Sequence, residues 1–379
     1  MMKVSILTQP LGRNYGGLLQ AYALQVTLKK LGCDVETLNR RRSVSFKAKL
    51  LPRFKLFVKK LLGQLGVQKF RGSSGNPYVN LENFRDQFIS VSPLIDSNRK
   101  ILSYYSKSHF DALIVGSDQV WRPRYSPELG NYFLDFCDEL NLNSKRIAYA
   151  ASFGVDDKEF SEEEVETCRP FARRFNDMSV REDSGVDLLK DYFGVDSQVV
   201  FDPTLLLDTT DYEYVIERDS SAKMRSTGGV LAYILDMDDT KEGVVTKVCG
   251  ATGETPEFLM NSPTSALAKE KQRSECYPRV GDWLNSFKSA KFVVTDSFHG
   301  CVFSIVFNKP FLVIGNKSRG LARFTSLLKK FGLEARLIVN CEQFDSSLAF
   351  APIDWELVNN LRSEGRLKSL EFLRNCLSL

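Results

Sequence analysis

The chain has 379 residues, more than one ordinary core takes up, so about two domains of ~150–200 residues are expected. With 43% hydrophobic, 11% aromatic and 26% charged residues, the composition is globular and excludes collagen-like, mucin-like and disordered classes. The net charge of +4 is unevenly spread: residues 40–71 hold eleven Lys or Arg and no acid, which leaves −7 for the remainder.

Short apolar strands alternate with helical patterns along the chain, which indicates an α/β protein with parallel sheets. Residues 3–8 (KVSILT) read as the first strand, 12–17 as a glycine-bearing loop, 18–31 as a helix and 34–38 as the second strand. In the loop, Asn14, Tyr15, Gly16 and Gly17 precede the helix. The two glycines suit either close approach of backbone amides to an oxygen-rich ligand or a plain tight turn. The segment is not GxGxxG, and no P-loop GK[ST] occurs, so no nucleotide site is implied.

Residues 46–70 interleave Leu50, Leu51, Phe54, Phe57, Val58, Leu61, Leu62 and Leu65 with lysines and arginines, as in a basic amphipathic helix or helix pair. Such a surface can lie against an anionic membrane leaflet, or it can be a solvated face over an apolar stripe. Nucleic acid is a further option, but no aromatic stacking platform accompanies the charges, and none is expected as a partner.

Residues 111–115 and 146–151 are further buried strands. After the first comes VGSDQVWRP (115–123), where Asp118 and Gln119 offer polar atoms and Trp121 a flat apolar face that suits a sugar ring. A surface loop with a packing Trp explains the same pattern. The acidic run 161–166 reads as a connecting helix, and a second series of strands and helices is expected from about residue 176, with a domain boundary near 155–180.

In that second series, 177–180, 198–201, 229–235 and 291–295 read as strands and 183–192 as a helix. Arg181, in VREDSG, sits at a strand's carboxyl end, where α/β sites lie, although an ion pair with Glu182 or another neighbour explains it equally. Residues 293–315 (VVTDSFHGCVFSIVFNKPFLVIG) place Thr295, Asp296 and Ser297 at a helix start, with His299 and Gly300 in its first turn. A helix N-terminus favours anions and disfavours a charged imidazole, so a carboxylate or phosphate fits there beside a titrating His299. Lys317, Arg319 and Arg323 follow the next strand, as an anion site or as ordinary basic surface. Residues 354–377 close the chain as an amphipathic helix.

Eight cysteines form no CxxC pair, which argues against a zinc ribbon and a disulfide framework and fits a reducing cytoplasm. Neither a signal-peptide pattern nor an apolar run long enough to span a membrane is read, so a cytoplasmic location is expected. His109 and His299 are the two histidines, and His109 reads as a surface residue. No metal site is expected.

NYGGLLQAYALQ, GSDQVW, YAASFG (149–154), SVRE, FDPTLLL (201–207) and TDSFHG occur in an order and spacing that resembles the polysaccharide pyruvyl transferase family, over roughly residues 3–335. The resemblance implies a GT-B-like fold of two Rossmann-like domains facing a cleft: residues 1–175 on the acceptor side, 176–345 on the donor side, and a C-terminal helix packing back. It implies transfer of pyruvyl from phosphoenolpyruvate to a sugar or lipid-linked oligosaccharide, forming a ketal and releasing phosphate, with no further cofactor. On it, His299 is the general acid/base. Arg181, Ser297 and Gly300 are on the donor side, where Lys317, Arg319 and Arg323 are added from their position alone; Asn14, Tyr15, Gly16, Gly17, Asp118, Gln119 and Trp121 are on the acceptor side. Many members carry Arg-Leu-His-Gly where this chain has Ser297-Phe298-His299-Gly300, so a cation is displaced or the donor is held differently. A nucleotide-sugar glycosyltransferase and a non-catalytic glycan- or lipid-carrier-binding protein are the alternatives.

Overall fold

The computed structural model describes residues 1–43, 76–221, 228–259, 276–315, 320–342 and 344–379. The basic segment 46–70, Lys317 and Arg319 lie outside them. Among the described residues, eleven strands form two sheets. The first contains β1 (Lys3–Leu7), β2 (Asp34–Thr37), β3 (Ala112–Val115), β4 (Lys145–Ala151), β5 (Asp177–Val180) and β6 (Gln198–Val199), in the order β2-β1-β3-β4-β5-β6. The second contains β7 (Val230–Tyr233), β8 (Pro256–Phe258), β9 (Phe292–Thr295), β10 (Phe311–Ile314) and β11 (Leu337–Ile338), in the order β11-β10-β9-β7-β8.

Every pairing is parallel. Strands β3, β7, β9 and β10 are buried at all four positions, as sheets covered by helices on both faces require. In each sheet the order reverses beside its first strand, between β1 and β3 and between β7 and β9. Crevices at such reversals are where open α/β sheets bind ligands.

Helix α1 (Tyr15–Lys30) begins three residues earlier than expected, because the Asn14 side chain caps it by accepting the Gly16 amide at 2.9 Å. Gly16 and Gly17 therefore stand in the first helical turn, not in a free loop. Helices α2 (Val79–Phe88), α3 (Asn98–Tyr105), α4 (Phe136–Glu139), α5 (Glu162–Ala172) and α6 (Asp183–Phe193) complete the first domain. The acidic run starts α5 through a Ser161–Glu164 capping box. This helix joins β4 to β5 inside the first sheet and does not link domains. The boundary expected near 155–180 is thus corrected: β5 and β6 belong to the first sheet, so that sheet runs through residue 199. The second series read from residue 176 failed because a further βαβ unit looks alike on either side of a domain boundary.

Helices α7 (Thr209–Asp219), α8 (Asp239–Thr252), α9 (Val280–Ser289), α10 (Phe298–Val306) and α11 (Ala322–Phe331) follow. The last helix, α12 (Trp355–Leu377), returns to the first domain. Ser369 Oγ accepts the Phe201 amide at 2.9 Å, Cys376 O accepts Lys145 Nζ at 3.0 Å, and Phe372 lies 6.1 Å from the Tyr149 ring.

One continuous apolar cluster runs from Val4 and Ile6 of β1 through Trp283 of α9 to Val313 of β10, so the two domains share a core. Tyr15 sits in that seam. Its ring stacks on Trp283 at 5.3 Å and its hydroxyl donates to Pro278 O at 2.7 Å.

Candidate active site

The loops at the carboxyl ends of β1, β3, β4, β5 and β9, and Gly320 beyond β10, converge between the domains. They touch directly where a Cβ on Gly320 would lie 2.1 Å from Gly154 O.

His299 occupies the first turn of α10, with Ser297 as its N-cap. The imidazole is 7% exposed. Its Nε2 lies 3.8 Å from Asp202 Oδ2 and makes no hydrogen bond. Burial pushes its pKa down to about 4; Asp202 and Asp118 favour the proton and Arg181 and Arg323 oppose it. Neutral imidazole is therefore the resting form at neutral pH.

Arg181 leaves the end of β5 fully enclosed. Its Nη1 donates to Asp202 Oδ2 at 2.8 Å, while Nε and Nη2 make no hydrogen bond. Burial works against its charge, but Asp202 and Glu182 raise its pKa. Its guanidinium lies 4.4 Å from the centre of the Phe298 ring, and that of Arg323 lies 5.6 Å from the same ring. Burial and the neighbouring Arg181 push the Arg323 pKa down to about 10. Two buried guanidiniums thus share one ring, with the carboxylates of Asp202, Glu182 and Asp118 set against the cost of burying them. Lys330 stands behind them, Nζ 3.5 Å from Arg181 O, its pKa pushed down to about 8 by burial.

On the opposite wall, Asp118 Oδ2 lies 3.4 Å from where a Gly17 Cβ would be. Gln119 lines the same loop but is engaged: its Oε1 accepts Arg122 Nη1 at 3.2 Å.

Three acceptor-side expectations are corrected. Trp121 is fully buried, stacked on Phe133 at 5.6 Å with Nε1 donating to Tyr132 O at 2.9 Å, so it presents no face to a sugar. The exposed aromatic of that loop is Tyr125. Tyr15 belongs to the interdomain seam, and Asn14 spends its side chain as a helix cap.

Two donor-side expectations change likewise. The Ser297 hydroxyl caps the Gly300 amide at 3.4 Å, and Gly300 is required because a Cβ there would meet Thr295 Oγ1 at 2.2 Å. Asp296 ties the loop after β7 to α10, accepting the Leu235 amide at 2.7 Å and Lys241 Nζ at 2.9 Å. His109 is exposed on the surface.

Asp202 was not singled out from the sequence, although it lies within FDPTLLL. It is buried, and its Oδ1 accepts the Thr204 amide at 3.0 Å and hydroxyl at 2.6 Å. Its Oδ2 receives Arg181 and Gln20 Nε2. Burial works against the carboxylate, yet Arg181, His299 and Thr204 hold its pKa below the ordinary range. Glu182, likewise fully buried, is spent on the β4 loop, its Oε1 accepting Ser152 Oγ at 2.7 Å and the Phe153 amide at 3.0 Å. No group of three His, Cys, Asp or Glu able to hold a metal occurs among the described residues. None of the described helices is long and apolar enough to cross a membrane.

Two parallel sheets of this order around a cleft define a GT-B-like architecture. UGT89C1 of Arabidopsis thaliana, complexed with UDP-L-rhamnose, superposes with a TM-score of 0.52 and 11% identity over 100% of this chain and 99% of its own. Its complex with UDP gives 0.53 and 10% over 100% of both chains. These likenesses establish the fold.

The sequence profile of the polysaccharide pyruvyl transferases matches residues 14–318, so the chain belongs to the polysaccharide pyruvyl transferase family. It is also similar to general stress protein 30 of Bacillus subtilis (strain 168), 27% identical over 206 residues. That match spans 50% of this chain and 54% of the relative, so the chain covers about half of that relative's length.

Proposed function

We propose that the protein moves the pyruvyl group of phosphoenolpyruvate onto two hydroxyls of a sugar, in a bacterial polysaccharide or its lipid-linked precursor. The observation that carries this reading is the pair of buried guanidiniums, Arg181 and Arg323, on the Phe298 ring beside neutral His299. A small donor bearing both a carboxylate and a phosphate needs converging cations, and arginine forks suit both groups. Arg323 supplies the charge that Ser297 does not. Gly16, Gly17 and Asp118 face the acceptor from the first domain.

The chemistry follows from a neutral imidazole. His299 takes the proton of the attacking sugar hydroxyl and gives it to the donor's methylene carbon. The O–H and the carbon–carbon π bond break, and bonds from sugar oxygen to C2 and from hydrogen to C3 form. A second hydroxyl then attacks C2, the bond to phosphate oxygen breaks, and its proton leaves with the phosphate. The product is a cyclic ketal.

Incubation with phosphoenolpyruvate and a panel of chromogenic and lipid-linked sugars tests this. Phosphate release matched by an acceptor mass gain of one pyruvyl ketal, both absent in His299→Ala, is the expected result. Absence of both phosphate release and donor binding by calorimetry would overturn it and turn attention to nucleotide sugars.

The stretch 46–70 supports a place at the inner membrane face, because its lysines alternate with large apolar residues. Sedimentation with anionic vesicles is expected to fall when Lys55, Lys59 and Lys60 are changed to Gln. Unaltered sedimentation would count against it.

A further inference from the structure

Asp202 belongs to the first domain and His299 to the second, and they face one another across the cleft. Both are buried, and the rest of the Asp202 carboxylate is tied down. Thr204 holds Oδ1 through two hydrogen bonds, and Arg181 and Gln20 hold Oδ2. The His299 nitrogen aimed at Oδ2 is Nε2, which is buried without a hydrogen bond. The Nδ1 edge of the ring faces Gly16, where a Cβ would lie 2.0 Å from Nδ1. Gly16 and Gln20 are four residues apart on α1 and so lie on one helical face. A single helix thus borders one edge of the imidazole and orients the carboxylate at the other.

We propose that Asp202 is a positioning residue for proton transfer: it holds the Nε2–H of His299 and so fixes the orientation and tautomer of the ring. This rests on the reading of His299 as the proton-transfer residue. Neutral imidazole carries one donor and one acceptor, and the nitrogen turned to a carboxylate keeps the hydrogen. At 3.8 Å the pair is longer than a hydrogen bond; such contacts tighten when a cleft closes on substrate or when the ring takes up charge. The charged groups that face His299 are Asp202, Arg181, Asp118 and Arg323. Asp202 is the stronger of the two that favour its proton.

The chain has two histidines, so the imidazole spectrum of protein labelled with 15N-histidine is simple, and His109→Gln assigns it. Long-range proton–nitrogen correlations read tautomer and titration midpoint without any substrate. Wild-type His299 is expected to carry its hydrogen on Nε2. In Asp202→Asn one oxygen cannot serve Thr204 on one side and Arg181 with His299 on the other. The Nδ1–H tautomer is expected to rise to at least an equal share, and the midpoint to fall.

If Asp202→Asn does not fold, Gln20→Met decides. Removing a donor from Oδ2 leaves more of its charge for His299, and the midpoint is expected to rise. A wild-type ring protonated on Nδ1, a folded Asp202→Asn with the wild-type tautomer and midpoint, or an unmoved midpoint in Gln20→Met would each overturn the proposal. Failure of the phosphoenolpyruvate reading shows differently, as absent turnover by wild-type protein whose His299 spectrum is as described.

Discussion

Gly16 and His299 pack against each other across the domain cleft so closely that a Cβ on Gly16 would lie 2.0 Å from Nδ1 and 2.5 Å from Cε1 of the imidazole. The requirement for glycine here is set by the other domain. In a helix's first turn alanine is otherwise the better helix former, by roughly 1 kcal/mol.

Gly16→Ala therefore sets two effects against each other. The helix gains, but the imidazole must move or the domains must part. A displacement of ~1 Å at reacting groups lowers turnover by about 100-fold. Gly16→Ala is expected to keep a melting temperature near that of wild type while losing turnover on that scale. Full activity with an unchanged melting point would show that the ring is not clamped there.

The pKa of His299 is depressed by burial to about 4, below the ordinary imidazole value. The folded state then binds fewer protons than the unfolded chain between those values. The neutral ring's contribution to stability is fully present above about pH 6.5 and is lost as pH falls towards 4, after which it levels off. The shift corresponds to roughly 3 kcal/mol. Urea denaturation from pH 4 to 8 is expected to show this loss in wild type and a flatter profile in His299→Gln. Parallel profiles would mean that His299 titrates as an exposed histidine does.

The α/β class, the parallel strands and the helix starting at Phe298 were legible because strand runs such as ALIV and FVVT are uninterrupted and apolar, and Ser297 is a cap residue. His299 and Arg181 were legible as residues at the ends of strands. The sheet boundary was not, since β5 and β6 carry no mark of the sheet they join. Trp121 and Tyr15 misled because an aromatic beside polar residues reads alike whether it faces solvent or a seam. Asp202 was hidden by its own neighbours: Asp-Pro-Thr reads as a turn cap, which it is at Oδ1, while its second oxygen serves partners 21, 97 and 182 residues away.

Trp121 offers a direct check on burial against recognition. Its ring is enclosed and its Nε1 hydrogen bond ends on Tyr132 O. Trp121→Ala is expected to lower stability by about 3–5 kcal/mol, the range for a large core truncation. Trp121→Phe, which keeps most of the packing, is expected to leave the acceptor's KM unchanged. A KM several-fold higher in that variant would restore Trp121 to the acceptor site.

Arg181 and Arg323 stand on the same ring and differ in what their loss leaves behind. Arg181→Met strips Asp202 of its ion pair in a buried place, and removing one partner of a buried pair costs about 3–5 kcal/mol. Arg323→Met removes a cation that burial and Arg181 disfavour and that Glu182 and Asp118 favour, so the melting temperature is expected to change little. Both variants are expected to bind phosphoenolpyruvate more weakly in calorimetry, by at least 10-fold, a single charge-assisted contact being worth roughly 1.5–3 kcal/mol. Stability and affinity thus move together in Arg181→Met and apart in Arg323→Met. A destabilised Arg323→Met with normal donor affinity would make Arg323 a structural residue and leave the donor to Arg181 alone.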